Sequence, residues 1–101
     1  MKKELEKLIR IKIAISLRRL LENSKKFLQS DDDIAQSYNQ IAIITGLRKG
    51  TVSDTFNAKS TPGSGTLILI VESMGFDLRD FSKLYCSINE SEIKSFNVIL
   101  D

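Results

Sequence analysis

A glycine-centred turn between two short amphipathic helices is the feature that most constrains the fold of this chain. Residues 37–59 predict the helix pair, with the turn at residues 45–47. Apolar residues spaced by three and four predict one buried stripe on the first helix. This stripe consists of Ile34, Ala35, Tyr38, Ile41 and Ala42, followed by Thr45. Gly46 is expected to end the helix, because glycine easily adopts the left-handed conformation that closes a last turn.

The second helix is predicted to restart at once, with Leu47, Val52 and Phe56 facing inward. Small Ala42 favours a close crossing of the two helices. Such a pair is a helix–turn–helix, in which the second helix can enter a DNA major groove. The order of residues between Ile41 and Asn57 resembles the lambda repressor/Cro-like (Xre-type) DNA-binding family. The matching residues are Ile41, Ala42, Gly46, Val52, Ser53, Phe56 and Asn57, followed by Pro62, Thr66, Leu67, Met74, Gly75, Leu78, Asp80 and Phe81.

The resemblance covers residues 13–85 and implies an all-α, five-helix lambda-repressor-like domain. Residues 1–12 would extend its first helix, and residues 87–101 would form an amphipathic C-terminal tail, within one domain over residues 1–101. The family resemblance implies a repressor-like transcriptional regulator that binds double-stranded DNA sequence-specifically. A recognition helix at about residues 48–57 would read a pseudo-palindromic operator, bound by a homodimer.

By family position, one group of residues is expected to contact base edges: Lys49, Gly50, Thr51, Ser53 and Asp54. A second group is expected to contact phosphates: Ser37, Tyr38, Asn39, Arg48, Asn57, Lys59, Ser60 and Thr61. Lys49 can donate to guanine O6 and N7, and Asp54 can accept from cytosine N4. The alternatives are that both charges are only solvated and that the Tyr38 ring belongs to the core.

Two residues depart from the family pattern. Gly50 stands where a side chain often reads a base, so it can offer only close approach of the backbone. Ala58 stands where the family often has glycine, and a left-handed alanine would cost about 1 kcal/mol. We therefore expect Asn57 or a shifted cap to take the turn.

The rest of the chain predicts further helices. Residues 1–27 read as one long helix, although the alternation over residues 11–15 also fits a strand. An early start of the second helix, near Asp33, is favoured over a start at Ser37. Residues 60–65 read as a turn-forming segment. The tail leaves helix and strand open.

Caps and inward residues can also be predicted for the fourth and fifth helices. Thr66 is expected to cap the fourth helix and Asp77 the fifth. The residues expected to face inward are Leu67, Ile70, Val71 and Met74, then Leu78, Phe81, Leu84 and Tyr85.

Charge and composition narrow the function. The net charge is only +2, but residues 1–26 carry nine Lys or Arg against three Glu. That makes the N-terminal part electropositive, as a phosphate-binding face requires. The chain has no His and a single Cys86, which predicts no metal, no cofactor, no disulfide and no enzyme activity. A single cysteine without metal ligands is typical of a reduced compartment, so a cytoplasmic protein is expected. No apolar run approaches the length of a membrane span, so no membrane contact is expected.

The sequence leaves two questions about the partners of this protein open. The same fold could serve as a protein-interaction domain, such as an antitoxin that neutralises a toxin or binds another regulator, with little or no specific DNA binding. Both chain ends also carry apolar residues, which predicts that they help form a dimer, with the tail contributing more. The alternative is that the two ends pack on each other within one chain.

Arg18 and Arg19 are expected either to reach phosphate or to be solvated.

Overall fold

A computed structural model describes residues 2–28 and 33–100 of the chain, and every regular element within them is an α-helix. The all-α prediction is therefore confirmed. The described residues form six helices: α1 (Lys2–Phe27), α2 (Tyr38–Thr45), α3 (Lys49–Phe56), α4 (Ser64–Ser73), α5 (Leu78–Ser87) and α6 (Glu90–Leu100). The tail, for which the sequence left helix and strand open, forms α6.

Helix α1 is the central element of the fold, and α3, α5 and α6 all pack against it. Its middle is buried on nearly every side, at Ile11 and at all five residues from Ile13 to Leu17. A helix that is buried all round needs no polar face and therefore shows no single apolar stripe. This burial explains why the same residues also fitted a strand in the sequence.

The buried side chains form two groups. The main core takes side chains from each of α1, α2, α3, α4 and α5 and contains most of the large, fully buried side chains, among them Phe56, Ile41 and Met74. The second core lies between α1 and α6, where Phe96 packs with Ile11, Ala14 and Ile15. The C-terminal tail is thus joined to the domain through its own small apolar cluster.

The favoured early start of the second helix near Asp33 is wrong, because α2 begins at Tyr38. Ser37 is its N-cap, with extended backbone, and accepts a hydrogen bond from the Gln40 amide. Ala35 is fully buried, but its backbone N–H donates to the carbonyl of Ser73 at 2.8 Å. This long-range bond holds Ala35 in place as a non-helical core residue, so its position in the apolar stripe did not indicate a helix.

The predicted cap at Thr66 is also wrong, because α4 begins at Ser64 after Gly63. The turn-forming segment tolerates an earlier start because glycine is an acceptable N-cap. Ile70, Val71 and Met74 are buried, and Leu67 packs against the main core, as predicted.

The predicted cap at Asp77 is confirmed, and Asp80 completes a capping box with it. Phe81 is buried, and Leu84 and Tyr85 pack against the main core, as predicted. Leu78 was expected to face inward, but it is the first residue of α5, at the edge of the packed layer, and stays 45% exposed.

The two chain ends differ in their packing. At the N-terminus, residues 2–9 of α1 are all exposed, including Leu5, Leu8 and Ile9. A helix of 26 residues is about 39 Å long, so it spans almost the whole 42 Å length of the molecule. At the C-terminus, Phe96 is buried and Ile93 packs on the second core, within the same chain.

Candidate nucleic-acid interface

The turn between α2 and α3 follows directly from its residues. Gly46 has φ of 77°, in the left-handed region, and its N–H donates to the carbonyl of Ala42 at 2.9 Å. The Thr45 hydroxyl donates to the carbonyl of Ile41 at 2.7 Å and accepts from the Leu47 amide at 3.2 Å. Orphan groups at the end of α2 are thereby satisfied locally. Only three residues separate the two helices, and α2 packs directly against α3.

Burial determines which face of α3 meets solvent. Val52, Thr55 and Phe56 are buried, and they share one side of the helix. At 100° per residue, Gly50 and Asp54 lie at the middle of the opposite side, with Ser53 and Thr51 beside them. Lys49 lies at the start of the helix and is exposed. The five residues predicted to contact bases therefore lie on the outer face or the exposed first turn of α3.

The exposed start of α3 carries positive charge. Arg48 is the N-cap residue, and within the described part of the chain its side chain makes no capping hydrogen bond. Arg48, Lys49 and Gly50 are all exposed, and the first amides of a helix favour negative charge nearby. This end of α3 can therefore approach an anion without displacing an internal partner from the cap.

The residues predicted to contact phosphate fall into two groups. Asn39, Arg48, Lys59 and Thr61 are exposed, while Ser37 and Ser60 are half-buried. Tyr38 packs inside the molecule, because its ring lies against the ring of Phe56 in a tilted arrangement with the centroids 4.6 Å apart. That contact supports the alternative in which the Tyr38 ring belongs to the core.

Asn57 serves inside the molecule. Its side-chain oxygen accepts from the guanidinium of Arg18 at 2.7 Å. Its amide nitrogen donates to the carbonyl of Ser53 at 2.8 Å and lies 3.3 Å from the Ser53 hydroxyl. Both ends of the Asn57 amide are therefore bonded at the C-terminal end of α3, and a phosphate would have to compete for them.

The expectation that Asn57 takes the left-handed turn after α3 is wrong. Asn57 has φ of −108°, whereas Ala58 has φ of 59° and is the one residue other than glycine with positive φ among those described. This left-handed conformation is one that glycine adopts most easily, but here an alanine takes it. Ala58 packs against the second core, which supports this unfavourable backbone.

Sequence reasoning missed the structural role of Arg18. Its guanidinium reaches 38 residues along the chain to donate to the carbonyl of Phe56 at 2.8 Å. Neither solvation nor phosphate contact, the two roles considered from the sequence, describes this bond. Local spacing carries no signal for it, because the bond depends on how α1 crosses α3.

Comparison with family models, with curated proteins and with solved structures finds no match to this chain. Among the helices that the structure describes, none combines the length and the apolar character needed to span a membrane. Within residues 2–28 and 33–100, His, Cys, Asp and Glu nowhere form a group of three that could hold a metal ion.

Proposed function

We propose that this protein is a sequence-specific, repressor-like DNA-binding regulator in which α3 enters the major groove. The observation that carries the proposal is the geometry of α2 and α3. The two helices are joined by a left-handed glycine and packed through Tyr38 and Phe56, and the first two residues of α3, Lys49 and Gly50, are exposed. A helix that is packed on its inner face and exposed at its N-terminal end can insert into the major groove of DNA, which is about 12 Å wide.

The proposed fold is the lambda-repressor-like domain that the sequence resembles, formed by α1–α5, with α6 added after it. Five consecutive helices and a shared main core support this assignment. The exposed first turns of α1 are then an extension, and α6 is an additional helix that closes the second core.

The proposed contacts follow from the exposed face of α3. Lys49 would donate to a guanine, and Asp54 would accept from a cytosine. Gly50, between them on the outer face, would allow the helix backbone to come close to the bases. Arg48 and Lys59 flank the face, and their charges would attract phosphates on either side.

The regulator is further proposed to act as a homodimer, since two half-sites give the affinity that one small domain rarely reaches. The contacts of α6 change which surface is favoured for this. Phe96 and Ile93 already pack within the chain, whereas Leu5, Leu8 and Ile9 of α1 are exposed. Val98 of α6 is exposed as well, but α1 exposes three apolar side chains near its start, so its N-terminal turns are the larger expected contributor to a dimer. Light scattering on a Leu5→Ser, Ile9→Ser variant should show a folded monomer, and an unchanged dimer would contradict this surface.

The decisive experiment is binding to duplex DNA as a function of salt, followed by selection of bound sequences from random DNA. Binding should weaken steeply as salt rises, because phosphate contacts release counterions. On the selected site, Lys49→Ala should cost roughly 1–3 kcal/mol and relax preference at one base pair. Lys59→Ala should weaken all sequences alike and reduce the salt slope by about one.

Lys83→Ala, which removes the same charge from the exposed surface of α5, is the matched control. It should leave the base preference unchanged and alter affinity little. If Lys49→Ala behaves like Lys83→Ala, α3 is not the recognition helix.

A second candidate is a protein-interaction domain of the same fold, such as a toxin-neutralising antitoxin. The specific observation in its favour is on α2, where Ile43 is 72% exposed and Ile44 is 48% exposed. Exposed isoleucines beside a short turn suit contact with another protein better than contact with DNA. Failure of the protein to bind any duplex at low salt would favour this candidate over the first.

A further inference from the structure

Arg18 joins three helices at one point. From the middle of α1, its Nε donates to the carbonyl of Phe56 at 2.8 Å, and a terminal nitrogen donates to the Asn57 side chain at 2.7 Å. The same guanidinium lies over the ring of Phe96, with its central carbon 4.5 Å from the ring centroid. The C-terminal end of α3 is therefore linked to α6 through a single side chain of α1.

We call the contacts of Arg18 with Phe56, Asn57 and Phe96 the clamp, and each of them is favourable for a guanidinium. The last carbonyls of a helix lack intrahelical partners and carry partial negative charge, which a cation stabilises. The planar guanidinium offers several donors in a fixed fork, so it can satisfy two acceptors at once. The face of an aromatic ring attracts the same cation, and more strongly where water is excluded. Phe96 is almost fully buried, so its ring covers Arg18 from the α6 side.

The two residues that follow Asn57 are held by the second core and by a hydrogen bond back to α3. Ala58, with φ of 59°, packs against the second core to which Phe96 belongs. The Lys59 amide then turns back to donate to the carbonyl of Asp54 at 2.9 Å. The path of the chain out of α3 thus depends on two adjacent contacts, the bonds of the Arg18 guanidinium and the packing of Ala58 on the second core, to which α6 contributes Phe96.

We propose that Arg18 is a positioning residue for the DNA-binding surface and that α6, through Phe96 and Arg18, controls the position of α3. This inference rests on the proposed function. It requires no contact between α6 and DNA. Loss of the clamp leaves Lys49, Gly50 and Asp54 in place on α3 but frees the C-terminal end of that helix, so the side chains no longer meet the bases in a fixed orientation.

Arg19 provides a matched control. It is the next residue on α1, carries the same charge and also bonds to α6, through an ion pair with Glu92. Within the described residues, its hydrogen bond and ion pair join α1 to α6 and do not involve α3. Arg18→Gln and Arg19→Gln therefore remove equal charge and each break a contact between α1 and α6, but only the first variant releases α3.

The test measures two properties of the full chain, wild type and both variants. The first is hydrogen exchange of the Asn57, Ala58 and Lys59 amides, which reports opening of the end of α3. Arg18→Gln should speed their exchange by roughly tenfold or more, since hydrogen bonds to a charged group are lost. The second is affinity for the selected duplex, which should fall roughly tenfold in Arg18→Gln. It should fall by less than about threefold in Arg19→Gln, which changes a half-buried ion pair away from α3.

Two further variants guard against simple unfolding. Arg18→Lys keeps the charge but loses the fork, and it should restore only part of the affinity. Phe96→Leu keeps an apolar side chain on α6 and should shift exchange and affinity in the same direction as Arg18→Gln, by a smaller factor. Circular dichroism establishes that each variant is folded before it is compared.

The outcomes separate the clamp from the proposed function. Unchanged exchange at residues 57–59 in Arg18→Gln would overturn the clamp. Faster exchange with the same affinity as Arg19→Gln would overturn the positioning role, leaving Arg18 purely structural. A wild-type protein that binds no duplex at any salt concentration would overturn the proposed function and the positioning role together, while the exchange measurement would still decide whether α6 holds α3.

Discussion

The two ends of α3 are constructed in opposite ways. At the C-terminal end, Phe56 is buried and its carbonyl is bonded to Arg18, and Ala58 is held in a left-handed conformation by the second core. At the N-terminal end, Lys49 and Gly50 are exposed. One end is thus attached to the rest of the molecule, and the other presents its residues to solvent.

This difference teaches how a helix of only eight residues can serve as a binding element. Such a helix is not stable alone, so its position must come from tertiary packing. If most of the packing is at one end of the helix, the residues at the other end stay exposed and can contact a ligand. Substitutions at the attached end should then change stability, and substitutions at the open end should change binding.

The largest effect is expected from Phe56→Ala at the attached end. Removing a fully buried phenyl ring that packs against Tyr38 should lower the free energy of unfolding by roughly 3–5 kcal/mol. Urea denaturation measures this change. Lys49→Ala, at the open end of the same helix, should stay within about 0.5 kcal/mol of the wild type. Similar losses from both variants would mean that the two ends do not differ.

A substitution in the turn before the N-terminal end of α3 should lower the free energy of unfolding by less than Phe56→Ala does. Gly46→Val should lower the free energy of unfolding by about 1–3 kcal/mol, because a β-branched residue is strained at positive φ. An added Cβ at Gly46 would meet no atom within 4 Å, so a clash of the Cβ does not add to the backbone strain.

Gly75 gives the comparison for this turn, since its φ is also positive but a Cβ there would lie 2.8 Å from Cδ1 of Ile34. Gly75→Ala should therefore be more destabilising than Gly46→Ala in thermal melts. The reverse order would show that packing around Gly46 is closer than described.

A smaller and opposite effect is expected at the open end itself. Gly50→Ala should raise the free energy of unfolding by roughly 0.5–1 kcal/mol, because alanine favours helix and nothing lies within 4 Å of the new Cβ. The same variant should bind the selected DNA more weakly, since the methyl group stands where the backbone would approach the bases.

Gly65→Ala is the matched control for this variant, because Gly65 lies in the first turn of α4 with equally open space. It should be stabilised in the same way and bind DNA like the wild type. Equal binding by the two variants would remove Gly50 from the interface.

The smallest effect is expected at the start of α5. The Asp77 side chain caps this helix, whereas the N-cap residue of α3, Arg48, makes no capping hydrogen bond with its side chain. Hydrogen bonds from the backbone N–H of Asp80, with help from Arg79, hold the pKa of the Asp77 carboxyl below its ordinary value near 3.8. The stabilisation from Asp77 is therefore complete above that ordinary value and is lost as the pH falls through the lowered pKa.

Melting temperatures measured between pH 2 and pH 7 test this expectation. Asp77→Asn keeps a cap acceptor but cannot titrate, so its melting temperature should fall less at acid pH than that of the wild type. Identical pH dependence would mean that the cap does not depend on the ionised carboxylate.

The sequence by itself determined the features that depend on neighbouring residues. The all-α fold and the turn at Gly46 could be predicted because helix periodicity and left-handed glycine are local properties. The cap at Asp77 and the inward positions of Val52 and Phe56 followed for the same reason. The outer face of α3 was predictable as well, since it is the complement of a buried stripe.

Only the tertiary structure decided the features that depend on distant partners. Ala35 is a buried, non-helical residue because Ser73 binds its backbone, and Ala58 takes the left-handed turn because the second core supports it. Arg18 closes the end of α3 from 38 residues away. Hydrogen bonds across that distance are created by the packing of helices, and neither periodicity nor residue spacing records which side chains that packing brings together.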